Sequence, residues 1–199
     1  MSLVDRMRAA LTRESGHVPI EGDEYDRANG IYVPAAVLVA VTDRADPGVL
    51  LTLRQPHLRR HAGQIAFPGG RVDPDDESVI AAALREAQEE IGLDPAMVEI
   101  AGTSDVYRVG TGFAVTPVIG VVPPDLPLAP HQAEVAAVFE TPLAFLLAPG
   151  NHALKSTIWE GRERRFHEIN WEDRRIWGAT AGMIVNLAFR LKGVIDDPA

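Results

Sequence analysis

The chain has 199 residues, 46% hydrophobic residues, a net charge of −9 at pH 7 and no cysteine. This length suits one well-packed core, so we expect a single domain over residues 1–199. The acidic excess disfavours nucleic acid and acidic membrane surfaces as partners and leaves a small molecule as the expected one. We expect a cytoplasmic protein that does not bind a membrane, because the chain lacks both a signal-peptide pattern and a run of about 18 apolar residues.

Hydrophobic periodicity predicts mixed helices and strands along the chain. A helix at about 3–13 is followed by a polar loop through Gly30, and two β-compatible runs separated by DRADPG predict a hairpin. A short strand leads into Gly69 and Gly70, and a helix is expected to end at Gly92. The strands are predicted at 34–42, 48–54, 63–68, 98–106, 113–122, 134–140, 155–160 and 164–171, and the later helices at 76–91 and 176–191. Because strands and helices do not alternate regularly, the pattern favours an α+β fold.

An acidic cluster lies in the second of these helices, where the sequence reads REAQEEIGL from Arg85 onward. On a helix, Glu86 and Glu90 are i,i+4 neighbours and Glu89 lies on the same face. Like charges about 4 Å apart near a protein surface repel by roughly 4 kcal/mol, which favours a bound cation over an ordinary solvated face. Because hard cations prefer oxygen ligands, the cluster predicts a site for Mg²⁺ or Mn²⁺.

The run that contains this cluster resembles the Nudix box, at about residues 70–93. The family pattern is Gly, five residues, Glu, seven residues, and then Arg-Glu-apolar-x-Glu-Glu-x-Gly-apolar, and the half that starts at Arg85 is complete. The first half departs from the pattern, because six residues rather than five separate Gly70 from Glu77. Either the loop carries one extra residue or Asp76 replaces the first Glu. The resemblance implies a Nudix-type α/β/α sandwich with a mixed β-sheet.

The resemblance also implies roles for individual residues. Glu86 and Glu90 match the family's metal ligands, and Glu89 is expected to bridge a second ion or to polarise the attacking water. The main-chain carbonyl of Gly69 is a further candidate ligand, since a glycine pair permits close approach of the backbone. Arg85 stands i,i+4 from Glu89 and is expected to orient it by a charge-assisted hydrogen bond.

The general base has two candidates, because Nudix members take it either from the box or from a later loop. Glu134 follows the loop PPDLPLAPHQ and is the best downstream candidate for a base or an additional ligand. We rank Glu134 below Glu89 as the base. The alternative, in which Glu134 only caps or flanks a strand and has no catalytic role, is nearly as good.

A second motif, LLTLRQPHLRRHAGQIAFPGG, precedes the box. It is similar to the signature of the coenzyme A pyrophosphatase branch, which also has the extra residue in the box; only Gln55 differs, where Ser or Ala is usual. Three arginines of this motif, Arg54, Arg59 and Arg60, are candidates for binding the phosphates of an adenosine 3′-phosphate moiety. The alternative for Arg59 and Arg60 is a surface charge pair without a ligand.

These motifs imply a metal-dependent hydrolase of the diphosphate bond in coenzyme A or acyl-CoA, giving 3′,5′-ADP and 4′-phosphopantetheine or its acyl form. One alternative is a Nudix pyrophosphatase for another nucleoside diphosphate derivative, such as ADP-ribose or a dinucleotide. A less favoured one is a non-catalytic Nudix module that senses a nucleotide, which would not need the complete set of carboxylates. We expect a monomer or a homodimer.

Overall fold

The computed structural model describes residues 1–13, 31–159 and 162–194, so the predicted polar loop through Gly30 lies outside the described residues. The helices are α1 (Leu3–Leu11), α2 (Val79–Ile91), α3 (Leu143–Leu147) and α4 (Ala179–Arg190), with short 3₁₀ turns at Pro95–Met97 and Pro149–Asn151. The strands are β1 (Val33–Thr42), β2 (Gly48–Arg54), β3 (Ile65–Ala66), β4 (Gly69–Arg71), β5 (Glu99–Thr103), β6 (Tyr107–Val109), β7 (Phe113–Val122), β8 (Val135–Pro142), β9 (Ala153–Trp159), β10 (Arg162–Trp171) and β11 (Arg174–Trp177). None of the described helices is long and apolar enough to cross a membrane.

The main sheet is mixed and has β1 at its centre. β1 runs parallel to β7, from the pair Val33 and Phe113 to the pair Thr42 and Val122, and antiparallel to β2. The strand order is β3-β2-β1-β7-β5, with β8 also paired to β2, β6 to β7, and β4 to the first half of β1. The pairing of β4 with β1 brings the glycine pair to the middle of the sheet, beside α2.

Helices cover both faces of this sheet, which confirms the predicted α/β/α sandwich. On β1, Ala36, Leu38 and Ala40 are buried in a cluster with α2, whereas Val39 and Val41 are buried with α1 and α4. The central strand is therefore apolar on both faces, which is why its sequence is a continuous apolar run rather than an alternating one.

Local signals set both ends of α2. The hydroxyl of Ser78 accepts a hydrogen bond of 3.1 Å from the Ala81 N–H, so the helix begins after the predicted residue 76. At the other end Gly92 has φ 68°, a left-handed conformation that glycine adopts without strain. Because the helix begins only at Val79, Asp76 lies in the preceding turn. Helix geometry therefore does not set the direction of its side chain.

The predicted last helix is wrong at its start. Residues 174–177 form β11, in which Ile176 pairs with Ile169 of β10 in a separate three-stranded sheet of order β11-β10-β9. Gly178 has φ 63° and separates this strand from α4. Ile176 is completely buried in the sheet, so its apolar character reflects strand packing rather than the helical face that follows it.

Candidate functional site

The three glutamates of the acidic cluster lie on α2 but differ in exposure. The side chain of Glu90 is 8% exposed and that of Glu86 is 18% exposed, whereas that of Glu89 is 60% exposed. Two carboxylates therefore face the junction of α2 with β2 and β4, and the third faces solvent.

Glu90 lies between the glycine pair and the end of β2. One carboxylate oxygen accepts a hydrogen bond of 3.1 Å from the Gly69 N–H, and the other accepts one of 3.2 Å from Arg54 Nη1. Burial raises the pKa of Glu90 to about 7, although the Gly69 N–H and the charge of Arg54 both act to lower it. The protein therefore holds this carboxylate where its ionised form is only partly stabilised.

Glu86 lies directly against Gly70. A Cβ atom at Gly70 would come within 2.5 Å of the Glu86 carboxyl group, so any other residue there would displace it. Burial raises the pKa of Glu86, and the hydrogen bond of 2.9 Å from Arg85 Nη1 opposes that shift. The absence of a side chain at Gly70 thus lets a carboxylate approach the backbone of β4.

Arg85 makes its strongest contacts with Asp76. Its Nε and Nη2 donate to the two oxygens of Asp76 at 3.0 and 2.9 Å, and Nη2 also donates to the Arg71 carbonyl at 3.1 Å. The predicted contact with Glu89 is present at 3.3 Å. The Arg85 guanidinium lowers the pKa of Asp76, and Asp76 in turn raises the pKa of Arg85.

The two candidates for the first acidic residue of the box therefore differ in position. Asp76 pairs with Arg85 in a bidentate manner, and its side chain is only 6% exposed. Glu77 is exposed. We assign the arginine-pairing position to Asp76, which places the extra residue of the box between Asp76 and Arg85 rather than before the acidic residue.

Arg54 and Glu134 meet at the other side of Glu90. Arg54 Nη2 lies 3.9 Å from a carboxylate oxygen of Glu134, while its Nη1 contacts Glu90. Arg54 thus lies between two carboxylates rather than with the other predicted phosphate-binding arginines, and Glu134 belongs to the same group as the box. The catalytic role of Glu134 stays a prediction.

Arg59 and Arg60 are exposed on the segment between β2 and β3. The two ends of this segment are joined, because the Arg54 N–H donates to the Gln64 carbonyl at 2.9 Å. The segment therefore projects from the end of β2 at which Arg54 contacts Glu90. Contact of Arg59 and Arg60 with a substrate phosphate stays a prediction.

The donor set fits a hard divalent cation. Glu86 and Glu90 supply carboxylate oxygens, and burial has raised the pKa of both, so a nearby cation would stabilise their ionised forms. Within the described residues, no group of three or more His, Cys, Asp or Glu side chains is arranged to hold a metal ion, and Arg54 and Arg85 bind the carboxylates. Gly69 contacts Glu90 through its N–H, and its role as a carbonyl ligand stays a prediction.

The sequence did not predict the contacts that Gln55 and His131 make in this site. Gln55 binds the segment that carries Glu134, with hydrogen bonds of 2.8 Å to the carbonyls of Gln132 and Glu134. The His131 N–H donates to the Glu90 carbonyl at 2.9 Å. Both join segments that are distant in sequence, and the one available signal was the unusual Gln at position 55.

A cavity of about 320 Å³ lies between β1, β2, β8 and the loop that follows β7. It is lined by Thr42, Leu50, Pro123, Asp125, Leu126, Leu128, Pro130, Val138, Phe139 and Glu140. None of these is a predicted site residue. The cavity is therefore separate from the carboxylate and arginine group of the predicted site.

One domain family matches most of the chain. Residues 32–171 match the model of the NUDIX domain. The chain is 48% identical to the uncharacterized Nudix hydrolase NudL of Escherichia coli O7:K1 (strain IAI39 / ExPEC) over 79% of its own length and 82% of that protein, and 49% identical to NudL of Shigella boydii serotype 4 (strain Sb227) over the same shares.

Solved structures with a similar fold include a Nudix hydrolase of M. smegmatis, RenU, at 24% identity and a TM-score of 0.49, covering 64% of this chain and 81% of that one. A C. elegans Ap4A hydrolase is similar at 21% identity and a TM-score of 0.47, over 55% of this chain and 80% of that one. Members of this family generally use divalent metal ions. With a domain match over residues 32–171 and relatives at 48% identity, the chain belongs to the Nudix hydrolase family.

Proposed function

We propose that this chain hydrolyses the diphosphate bond of coenzyme A or an acyl-CoA with the help of Mg²⁺ or Mn²⁺. The products are 3′,5′-ADP and 4′-phosphopantetheine or its acyl form. The observation that carries the proposal is the burial of Glu86 and Glu90 side by side against the glycine pair, at the end of β2 from which the basic segment projects.

A divalent cation held by Glu86 and Glu90 would neutralise diphosphate oxygens and lower the pKa of an attacking water. The residues of the chain then have distinct tasks. Arg85, anchored by Asp76, holds Glu86 and keeps Glu89 within reach. Glu89, or else Glu134, accepts the proton that the water loses, and the exposed position of Glu89 gives it access to solvent.

The substrate class is supported by charge and by the motif in residues 50–70. Arg59 and Arg60 are exposed on the segment that follows Arg54, where guanidinium groups suit the 3′-phosphate that distinguishes coenzyme A from simpler nucleotides. Arg54 is half-buried against Glu90 and Glu134, so it is suited to meet the diphosphate rather than the 3′-phosphate.

A panel of substrates tests the proposal. Coenzyme A, acetyl-CoA, ADP-ribose and a diadenosine polyphosphate are each incubated with the protein and Mg²⁺, and the products are identified by mass spectrometry. We expect 3′,5′-ADP and 4′-phosphopantetheine from coenzyme A.

The remaining outcomes separate the alternatives. Turnover of ADP-ribose or the dinucleotide equal to or above that of coenzyme A would reject the substrate and keep the reaction type. Tight nucleotide binding without hydrolysis of any member, with Mg²⁺ or Mn²⁺, would instead indicate a sensing module.

A further inference from the structure

Gln55 holds the segment that carries Glu134 at two points. Its main-chain N–H donates to the Glu134 carbonyl at 2.8 Å, and its side-chain Nε2 donates to the Gln132 carbonyl at 2.8 Å. One residue thus binds the chain on both sides of Ala133. The side-chain bond depends on an amide at position 55, whereas the main-chain bond does not.

These bonds occur where the regular strand pairing is interrupted. Leu53 pairs with Ala137, whereas Arg54 pairs with Val135, so the register of β2 against β8 shifts by one residue between Leu53 and Arg54. Beyond this irregularity Val135 is the last residue of β8 that is paired, so Glu134 lies outside the ladder. The side chain of Gln55 therefore supplies a constraint that the ladder does not.

The other end of the segment is fixed to α2. The His131 N–H donates to the Glu90 carbonyl at 2.9 Å, and the N–H groups of Glu134 and Val135 both donate to the His131 carbonyl at 2.9 Å. The segment from His131 to Glu134 is consequently a turn held between the helix that carries Glu90 and the residue that follows Arg54.

The position of this turn decides how Glu134 relates to the site. The Glu134 carboxylate lies 3.9 Å from Arg54 Nη2, and its charge contributes to the raised pKa of Glu90. A shift of about 1 Å would change both interactions, and misplacement of this size is enough to lower the rate of an enzyme markedly.

We propose that Gln55 is a positioning residue that holds Glu134 beside Arg54 and Glu90 through its side-chain bond to Gln132. The inference rests on the proposed function for its effect on turnover. It adds a specific task to the position at which this chain differs from the branch signature, since Ser or Ala cannot reach across to the Gln132 carbonyl in the same way.

The first test does not depend on activity. Gln55→Met keeps the length of the side chain and removes its donor, and Gln88→Met makes the same change at an exposed position of α2. Hydrogen exchange of the Gln55, Glu134 and Val135 amides is expected to become about three- to tenfold faster in Gln55→Met and to stay unchanged in Gln88→Met. Unchanged exchange at these amides in Gln55→Met would overturn the proposal.

The second test is a double-mutant cycle with Glu134→Gln. Gln55→Met is expected to lower kcat about three- to tenfold with KM changed less than about twofold, and to have no further effect when Glu134 is already Gln. An equal loss in both backgrounds would show that Gln55 does not act through Glu134. If the wild-type protein hydrolyses no diphosphate, the proposed function fails, and the exchange rates alone decide whether Gln55 holds the turn.

Discussion

Glu90 is an ionisable side chain in a buried position, where its charged form is costly. It is almost fully buried, and burial raises its pKa to about 7, although the Gly69 N–H and Arg54 act to lower it. A carboxylate that served only stability would do better as a neutral side chain of the same shape, because a buried charge must be compensated by partners. Its placement therefore supports the proposal that Glu90 binds a cation.

Replacing Glu90 by Gln removes that charge and keeps the volume. We expect kcat for the diphosphate substrate to fall by on the order of 100-fold or more, because a metal ligand is lost, while the circular dichroism spectrum stays unchanged. Gln88→Ala, on the exposed face of the same helix, is the matched control. Turnover by Glu90→Gln equal to wild type at saturating Mg²⁺ would reject the ligand assignment.

Glu90 also makes the stability of the metal-free protein depend on pH. Its pKa rises from the ordinary value of 4.5 to about 7 on folding, so the folded protein binds this proton more tightly than the unfolded chain. The free energy of unfolding should therefore decrease as the pH rises from 4.5 to 7, by roughly 2 to 3 kcal/mol from this group.

Urea denaturation in the presence of a chelator, at several pH values, measures this dependence. The difference in unfolding free energy between Glu90→Gln and wild type should grow in favour of the variant over that range. Parallel curves for the two proteins would contradict the raised pKa of Glu90.

At the scale of elements, the turn before α2 is as important to the site as the helix. The late start of the helix at Val79 leaves Asp76 in the turn, where it binds Arg85 with two hydrogen bonds. Arg85 then contacts Glu86 and Glu89 from the same guanidinium group. The Arg85 guanidinium thus contacts both the turn and the helix, and it connects the loop after β4 to the carboxylates.

This arrangement distinguishes Asp76 from Glu77. Asp76→Ala should lower both the melting temperature and kcat, the latter by about tenfold, because Arg85 loses the partner that orients it. Glu77→Ala, an exposed neighbour, should leave both unchanged. Thermal unfolding and steady-state kinetics of the two variants make the comparison, and the reverse order of effects would place the arginine partner at Glu77.

At the scale of the whole molecule, the proposed function requires a substrate that contacts both the carboxylate site and the exposed basic segment. Arg59→Ala and Arg60→Ala should each raise KM for coenzyme A by about tenfold and change KM for dephospho-coenzyme A much less, because only the former has a 3′-phosphate. Steady-state kinetics with both substrates measure the two effects. Equal losses on both would remove the 3′-phosphate assignment.

Much of the fold could be predicted because its signals are local. β7 was predicted with its observed limits, since residues 113–122 form one apolar run, and Gly92 ends α2 as expected. β11 was missed because Ile176 continues into the apolar residues of α4, and only its pairing with Ile169 shows that it belongs to a strand. Periodicity does not reveal such long-range pairing.

The same contrast between local signals and long-range contacts applies to the site. The box motif indicated Glu86, Glu89 and Glu90 as a group, because it lies on one helix with fixed spacing. The contacts of Arg54 with Glu90 and with Glu134 could not be predicted, since only the order of the strands in the sheet brings these segments together. The choice between Asp76 and Glu77 likewise depended on where α2 begins.

The ratio of kcat/KM for coenzyme A to kcat/KM for ADP-ribose, at saturating Mg²⁺, tests the central claim most directly. Our account predicts a ratio well above one, with 3′,5′-ADP released from coenzyme A. A ratio at or below one would contradict it.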